Sequence, residues 1–156
     1  IMYILIRNNL VCQITNAGSK KERSSIGDLA NQIIPNQNIH LLDFIPNAGA
    51  FIDRAYILLV ASQKFESFGL TVIEAMQRNT PVVSTDTGGL PEVIGENGLC
   101  GFYSPKNNPS LYAEKIIYLL ENPEKAKEMG QNGSTRTKNI FSAKDMAKKY
   151  YDLLIS

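Results

Sequence analysis

Two glutamates flank the start of a short predicted helix, at a spacing that suits ligand binding. Glu66 lies ahead of the helix and Glu74, after seven intervening residues, lies in its second turn. Small or polar residues leave the first backbone N–H groups of the helix accessible, namely Ser67, Gly69 and Thr71. Because those N–H groups have no partner within a helix and the helix dipole favours negative charge, the start of this helix is a candidate anion site.

Glu74 interrupts an otherwise apolar series formed by Val72, Ile73, Ala75 and Met76. Since helical side chains tilt toward the N-terminus, its carboxylate is expected to lie over the first turn of the helix. A carboxylate would repel a bound phosphate, so its useful role beside one is to accept hydrogen bonds from neutral hydroxyls. A ribose next to a diphosphate supplies such hydroxyls. The alternative interpretation is an ordinary solvated helix residue.

Two β-rich runs bracket this loop and helix. Tyr56–Val60 precedes them and Val82–Thr85 follows them. The first run is apolar throughout, which is typical of a parallel strand covered on both faces. The pattern predicts an α/β fold with a doubly wound parallel sheet, and such sheets bind ligands at the carboxyl ends of their strands. The loop that carries Glu66 follows such an end.

The remaining elements follow from hydrophobic periodicity and turn residues. Further strands are predicted over Leu10–Thr15, Ile39–Ile45 and Gly98–Tyr103. Helices are predicted over Lys20–Ile33, Ala48–Arg54, Pro109–Leu120, Pro123–Lys138 and Ser142–Leu154, and Ile1–Arg7 is interpreted as the tail of another helix. Pro91 and Glu92 suit the first turn of a short helix. Asn79 tolerates the left-handed conformation and is predicted to end the central helix.

Composition excludes several classes of protein. A length of 156 residues suits one domain, and a net charge of +1 provides no electrostatic footprint for nucleic acid. Cys12 and Cys100 lie far apart and His40 is the single histidine, so a Cys/His metal site is not expected. Cys12 is interpreted as a small core residue and His40 as a surface or strand-edge residue. The sequence has no run of about 18 apolar residues, the length of a membrane span.

The stretch from Ser62 to Ile94 resembles the signature of the retaining nucleotide-sugar glycosyltransferases of GT-B fold, the glycosyl transferases group 1. The resemblance is carried by the glutamate pair within E-S-F-G-L-T-V-I-E-A-M and by the following T-P-V-V-S-T-D-T-G-G-L-P-E-V-I. A looser likeness runs from Val11–Thr15 to the final helix. The resemblance to this family implies that the chain is a Rossmann-like, C-terminal donor-binding domain. The whole protein would move a sugar from a nucleoside-diphosphate sugar to an acceptor, keeping the anomeric configuration.

The resemblance also assigns roles to individual residues. Glu66 is similar to the family's catalytic residue, which holds donor-sugar hydroxyls, and Glu74 to the residue that binds the ribose. The donor-binding set that it implies consists of Glu74, Ser67, Phe68, Gly69, Leu70, Thr71, Gly18, Gly88 and Gly89. For Gly88 and Gly89 the alternative is a tight turn that needs positive φ. No cofactor and no divalent metal are expected, in keeping with the lack of an Asp-x-Asp motif.

Several positions depart from the family pattern. Asp43 stands where the family usually has Gly, near the nucleotide base, so it either alters base recognition or lies at the edge of a strand. Tyr56 stands where an Asp is common, and Asn79 where Gly is usual. The chain begins at Ile1 without an initiator methionine, and we interpret it as a fragment of a longer protein. A basic Arg and Lys pair that neutralises the diphosphate would lie upstream.

The expected partners are a nucleotide sugar and the N-terminal, acceptor-binding domain of the same protein, with no nucleic acid. The 156-residue domain is expected to be inactive by itself. The full protein is expected in the cytoplasm, with peripheral membrane association left open. The sequence leaves two alternative functions. One is a sugar-nucleotide epimerase, which would need acid and base residues around the sugar. The other is a non-catalytic binding module, which would present an acidic cluster at the strand ends.

Overall fold

The computed structural model describes residues 2–8, 11–17, 39–42 and 48–155. Within these ranges the strands are β1 (Met2–Asn8), β2 (Val11–Ala17), β3 (Ile39–Leu42), β4 (Ile57–Val60), β5 (Val82–Thr85) and β6 (Gly101–Ser104). The helices are α1 (Gly49–Ile52), α2 (Leu70–Gln77), α3 (Leu90–Ile94), α4 (Pro109–Glu121), α5 (Pro123–Ile140) and α6 (Ala143–Ile155). The described strands form one sheet in the order β3-β2-β1-β4-β5-β6.

The half of the sheet that carries the candidate site is parallel. Strand β4 pairs with β5 in the register Leu58 to Val82, and β5 pairs with β6 in the register Val83 to Phe102. Strands β2 and β3 are also parallel to each other. This arrangement confirms the predicted α/β, Rossmann-like fold class.

One predicted element is wrong. Residues 1–7 were expected to end a helix, but Met2–Asn8 is strand β1, antiparallel to both β2 and β4. A short apolar run without alternation does not distinguish a buried strand from a helix segment. Here the run lies between two strands, so its backbone N–H and C=O groups find partners on both sides. The sheet is therefore mixed rather than fully parallel.

Helices cover both faces of the parallel strands. On one face Leu58 and Val60 pack with Val72 and Met76 of α2 and with Leu90 of α3. On the other face Ile57, Leu59 and Val83 pack with Leu119 of α4 and Met129 of α5. All four residues of β4 are buried, as its apolar run predicts. Burying a large aliphatic side chain contributes about 1.5–3 kcal/mol, so these two layers stabilise the strand whose end carries the site.

Helix α2 buries the four apolar residues that its pattern indicates: Val72, Ile73, Ala75 and Met76. It is followed by Asn79 at a φ of 58°, which confirms the predicted left-handed residue. Two glycines of α5 let this helix approach α2 closely. A Cβ at Gly130 would overlap the carbonyl oxygen of Asn79, just after α2, and a Cβ at Gly133 would lie 3.2 Å from Met76 Cγ of α2.

Helix α6 has no buried residue. Met146, Tyr150 and Leu153 line an apolar groove of about 420 Å³, together with Phe68 and Leu70 at the start of α2. Among the described helices, none has the length and apolar content needed to cross a bilayer. The predicted helix over Lys20–Ile33 and the predicted ligand residues Gly18 and Asp43 lie outside the described residues.

Candidate functional site at the start of helix α2

Glu66 and Glu74 lie on either side of the start of α2 in different surroundings. Glu66 is half-buried in the loop between β4 and α2, where the Ser62 hydroxyl donates to its Oε2 at 3.3 Å. Glu74 is exposed on the helix, and in the described part of the chain its carboxylate has no hydrogen bond or ion pair. One carboxylate is therefore held by the protein, while the other is free to accept hydrogen bonds from a ligand.

The first turn of α2 leaves backbone donors available. Gly69 precedes the helix with a φ of 80°, and its carbonyl accepts from Val72 N at 2.9 Å and Ile73 N at 3.2 Å. The N–H groups of Leu70 and Thr71 donate to none of the described residues. As the sequence indicates, the helix presents unpartnered donors and the positive end of its dipole next to Glu66.

The side chains of Phe68 and Leu70 point toward α6 rather than toward these donors. The Phe68 ring packs edge-on against Phe141, with centroids 5.9 Å apart. Both side chains line the apolar groove shared with Met146 and Tyr150. The predicted donor-binding role of Phe68 and Leu70 would therefore involve their backbone N–H groups rather than their side chains. Ser67, also predicted to bind the donor, is exposed in the same loop.

Gly88 and Gly89 lie directly against the loop that carries Glu66. Gly88 has a φ of 57°, so its alternative role as a positive-φ turn residue is observed. Gly89 has an ordinary φ of −78°, but a Cβ there would lie 2.9 Å from the Ser67 carbonyl oxygen. The close approach that these glycines permit is to protein backbone. Their contact with a donor remains a prediction.

Two threonines, Thr85 at the end of β5 and Thr87 just after it, contribute to the site and were not predicted. Thr85 Oγ1 donates to the Ser62 carbonyl at 2.6 Å and Thr87 Oγ1 donates to it at 2.8 Å. Both threonines are buried. The available signal was their position, because a hydroxyl at the carboxyl end of an apolar strand needs a partner in the neighbouring loop.

A second, more polar crevice of about 420 Å³ lies at the carboxyl ends of β4, β5 and β6. Gln63 bridges it, accepting from Asn107 N at 2.9 Å and donating to the Ala61 carbonyl at 3.1 Å. The Tyr112 hydroxyl in its wall donates to the Val83 carbonyl at 3.0 Å. Through its bond with Asn107, Gln63 links the loop of Glu66 to the segment just before α4.

Neither reactivity of the Cys100 thiol nor, among the described residues, a metal centre is indicated. Burial raises the pKa of the Cys100 thiol, with an opposing effect of the Arg136 charge, and Cys100 packs within the core. Across residues 2–8, 11–17, 39–42 and 48–155, no group of three or more His, Cys, Asp and Glu residues could hold a metal ion. The metal-independent reaction expected from the sequence remains a prediction.

The sequence has clear relatives. Residues 4–136 match the model of the family described as "Glycosyl transferases group 1". The chain is 42% identical over 103 residues to trehalose synthase from Thermococcus litoralis, covering 66% of this chain and 24% of that protein. It is 29% identical over 128 residues to N-acetyl-alpha-D-glucosaminyl L-malate synthase from Bacillus anthracis, covering 76% and 33%. The chain thus spans about a quarter to a third of the length of these relatives.

Solved structures share the fold. HepE from Anabaena, solved in complex with UDP-glucose, superposes with a TM-score of 0.82 at 19% identity, covering 90% of this chain and 40% of HepE. Sucrose-phosphate synthase from Thermosynechococcus elongatus superposes with a TM-score of 0.78 at 25% identity, covering 90% and 38%. These similarities confirm the fold class predicted from the alternation of strands and helices.

Proposed function

Because the chain belongs to the glycosyl transferases group 1 family, we propose that it is the donor-binding domain of a retaining glycosyltransferase. The donor would be a nucleoside-diphosphate sugar. The observation that carries this proposal is the start of α2, where the unpartnered N–H groups of Leu70 and Thr71 follow the held carboxylate of Glu66 in the chain and precede the free carboxylate of Glu74.

The diphosphate would bind at the start of α2. When the sugar leaves, the nucleoside diphosphate gains negative charge, and the N–H groups of Leu70 and Thr71 can donate to it without reorganising. Donors that are already oriented toward developing charge commonly provide the largest single contribution to catalysis. Gly69, with its left-handed φ, turns the chain into the helix so that these two N–H groups face outward.

Glu66 would act on the sugar. The donor ring gains positive character as the bond to the diphosphate breaks, and a nearby carboxylate stabilises that charge more in the transition state than in the ground state. The hydrogen bond from Ser62 to Oε2 orients the carboxylate and leaves Oε1 for the donor. Glu66 is accordingly the residue that we propose as catalytic.

Glu74 would bind the ribose. Its exposed carboxylate lies one helical turn after Leu70 and Thr71 and, through the tilt of helical side chains toward the N-terminus, leans toward the first turn that carries their N–H groups. Neutral ribose hydroxyls can donate to it, whereas a phosphate would be repelled. The ribose is held alike before and during transfer, so Glu74 would contribute to affinity rather than to rate.

The relatives support the class of ligand. HepE was solved with UDP-glucose, and it shares the fold of this chain. Relatives three to four times longer than the matched segment support an acceptor site elsewhere in the full enzyme. We therefore propose that the 156-residue domain binds nucleotides weakly and does not transfer a sugar by itself. A full enzyme that works in the cytoplasm is part of the same proposal.

A thermal-shift screen of the domain tests this function. The probes are UDP, GDP and ADP with their glucose or mannose conjugates, and the matched control is the Glu74→Gln variant. A nucleotide at 100 times its Kd stabilises the fold by about 2.7 kcal/mol, which corresponds to about 5–10 °C for a domain of this size. We expect one nucleotide base to produce this shift, and the variant, measured at the same nucleotide concentration, to lose about half of it. The proposal is wrong if no nucleotide raises the Tm.

A further inference from the structure

The residues at and just before the start of α3 lie directly against the loop of Glu66. A Cβ at Gly88 would overlap the Glu66 carbonyl oxygen, and one at Gly89 would lie 2.9 Å from the Ser67 carbonyl oxygen. The Gly89 N–H donates to the Glu66 carbonyl at 3.4 Å. The next residue, Leu90, places its Cδ2 2.8 Å from where a Gly69 Cβ would lie. The backbone of the loop therefore packs closely against the start of α3.

Hydroxyl groups fix the other side of the same loop. The Ser62 carbonyl accepts from Thr85 at 2.6 Å and from Thr87 at 2.8 Å, and the two threonine oxygens are 3.1 Å apart. Ser62 in turn donates through its own hydroxyl to Glu66. The orientation of the Glu66 carboxylate thus depends on the buried hydroxyls of Thr85 and Thr87, three residues or fewer from Gly88.

Helix α3 itself has little freedom to move. Arg136 of α5 donates from Nε to the Val93 carbonyl at 2.9 Å and from Nη2 to the Glu92 carbonyl at 2.8 Å. Leu90 and Ile94 are completely buried. Because α3 is held at its C-terminal end and along its core face, an added side chain at Gly88 would displace the exposed loop of Glu66 rather than the helix.

We propose that Thr87, Gly88 and Gly89, which we call the α3 latch, are positioning residues that set the place of Glu66 for sugar transfer. This inference rests on the proposed function of Glu66. A shift of about 1 Å in a reacting group can cost about 100-fold in rate. Among the described residues no hydrogen bond joins the latch to the Leu70 or Thr71 N–H groups, so we expect binding of a free nucleoside diphosphate to be largely independent of it.

The test compares three variants in the full-length enzyme. Gly88→Ala breaks the close approach to Glu66, whereas Thr87→Val removes one hydroxyl at nearly constant shape and Thr87→Ser restores it. We expect kcat at saturating donor to fall about 100-fold for Gly88→Ala and about tenfold for Thr87→Val, with recovery in Thr87→Ser. Kd for UDP or GDP, whichever stabilises the wild type, should stay within about threefold.

Gly130→Ala is the matched control. Its Cβ would overlap the Asn79 carbonyl oxygen, which is the same kind of overlap at the opposite end of α2. This variant should lose stability yet keep kcat within about twofold. Hydrogen–deuterium exchange over residues 62–70 provides a second measurement that needs no activity, and it should accelerate for Gly88→Ala and Thr87→Val but not for Gly130→Ala.

Two results would overturn the proposed positioning role of the α3 latch. One is a kcat for Gly88→Ala no lower than that for Gly130→Ala, with unchanged exchange over residues 62–70. The other is a loss of nucleoside-diphosphate affinity as large as the loss of kcat, which would make these glycines ligand contacts. If the wild type neither binds a nucleotide nor transfers a sugar, the proposed function of Glu66 fails instead. The exchange experiment reports separately on whether the latch holds the loop.

Discussion

At its C-terminal end helix α2 is closed, whereas at its N-terminal end it is open. The Ala75 carbonyl accepts from both Arg78 N and Thr80 N at 3.0 Å, and the Met76 carbonyl accepts from Asn79 N at 3.1 Å. At the other end, the N–H groups of Leu70 and Thr71 donate to no described residue. Both ends are reached through a left-handed residue and both pack tightly, so packing alone does not explain the difference.

The contrast separates the requirements of folding from those of function. Closing a helix end satisfies polar groups that would otherwise be buried at a cost of about 1–3 kcal/mol each. Leaving the other end open is tolerable because it faces solvent, and it becomes useful if a ligand supplies the acceptors. Changes at the closed end should therefore alter stability alone, whereas changes at the open end should alter ligand binding as well.

The largest effect on stability is expected at the closed end. Gly130→Ala places a Cβ on the Asn79 carbonyl oxygen. The backbone of α5 meets the backbone after α2 there, and moving either one requires displacing packed main chain. Overpacking of this kind costs about 1–3 kcal/mol, and we expect the upper part of that range. Urea denaturation of the domain would measure it. Nucleotide affinity relative to wild type should not change, and a tenfold loss of affinity would break the distinction between the two ends.

A smaller loss of stability, accompanied by a loss of binding, is expected at the open end. Gly69→Ala forces a side chain into a φ of 80° and against Leu90. The left-handed conformation costs an ordinary residue about 1–2 kcal/mol. Because the first turn of α2 would shift, affinity for a nucleoside diphosphate should fall about tenfold by calorimetry, equivalent to about 1.4 kcal/mol. Loss of stability with unchanged affinity would argue against the phosphate site.

The smallest effect is expected for Asn79→Gly. Glycine adopts the observed φ of 58° without steric strain, whereas asparagine is strained there, although less than most residues. We expect the Tm to rise slightly, by an amount equivalent to less than about 1 kcal/mol, and ligand affinity to stay constant. A destabilised variant would show that the Asn79 side chain has a role that the described contacts do not include.

Local patterns were sufficient for the parts of the fold that depend on neighbouring residues. The apolar series around Glu74 predicted the buried face of α2, and Asn79 predicted its end, because both follow from helix geometry. Strand β1 was missed because a short apolar run has no period of its own and takes its conformation from the strands beside it. The helix over Lys20–Ile33 remains a prediction.

The position of the site was predicted from the sequence, but the contacts that hold the loop of Glu66 in place were not. The spacing of Glu66 and Glu74 around a helix start is visible in the sequence. Contacts between residues 62–66 and residues 85–89 are not, since they join segments that only the folded sheet brings together. Gly88 illustrates the limit: the sequence shows that a close approach is permitted there, and the structure shows that the neighbour is the Glu66 backbone.

The division of labour between the two carboxylates is the central claim, and one paired measurement tests it in the full-length enzyme. For Glu66→Gln and Glu74→Gln, kcat at saturating donor is measured beside Kd for the free nucleoside diphosphate. We predict that Glu66→Gln lowers kcat by about 100-fold with Kd nearly unchanged, and that Glu74→Gln raises Kd about tenfold with kcat largely retained. Equal losses of affinity in both variants, with turnover intact, would contradict the assignment of Glu66 to the sugar.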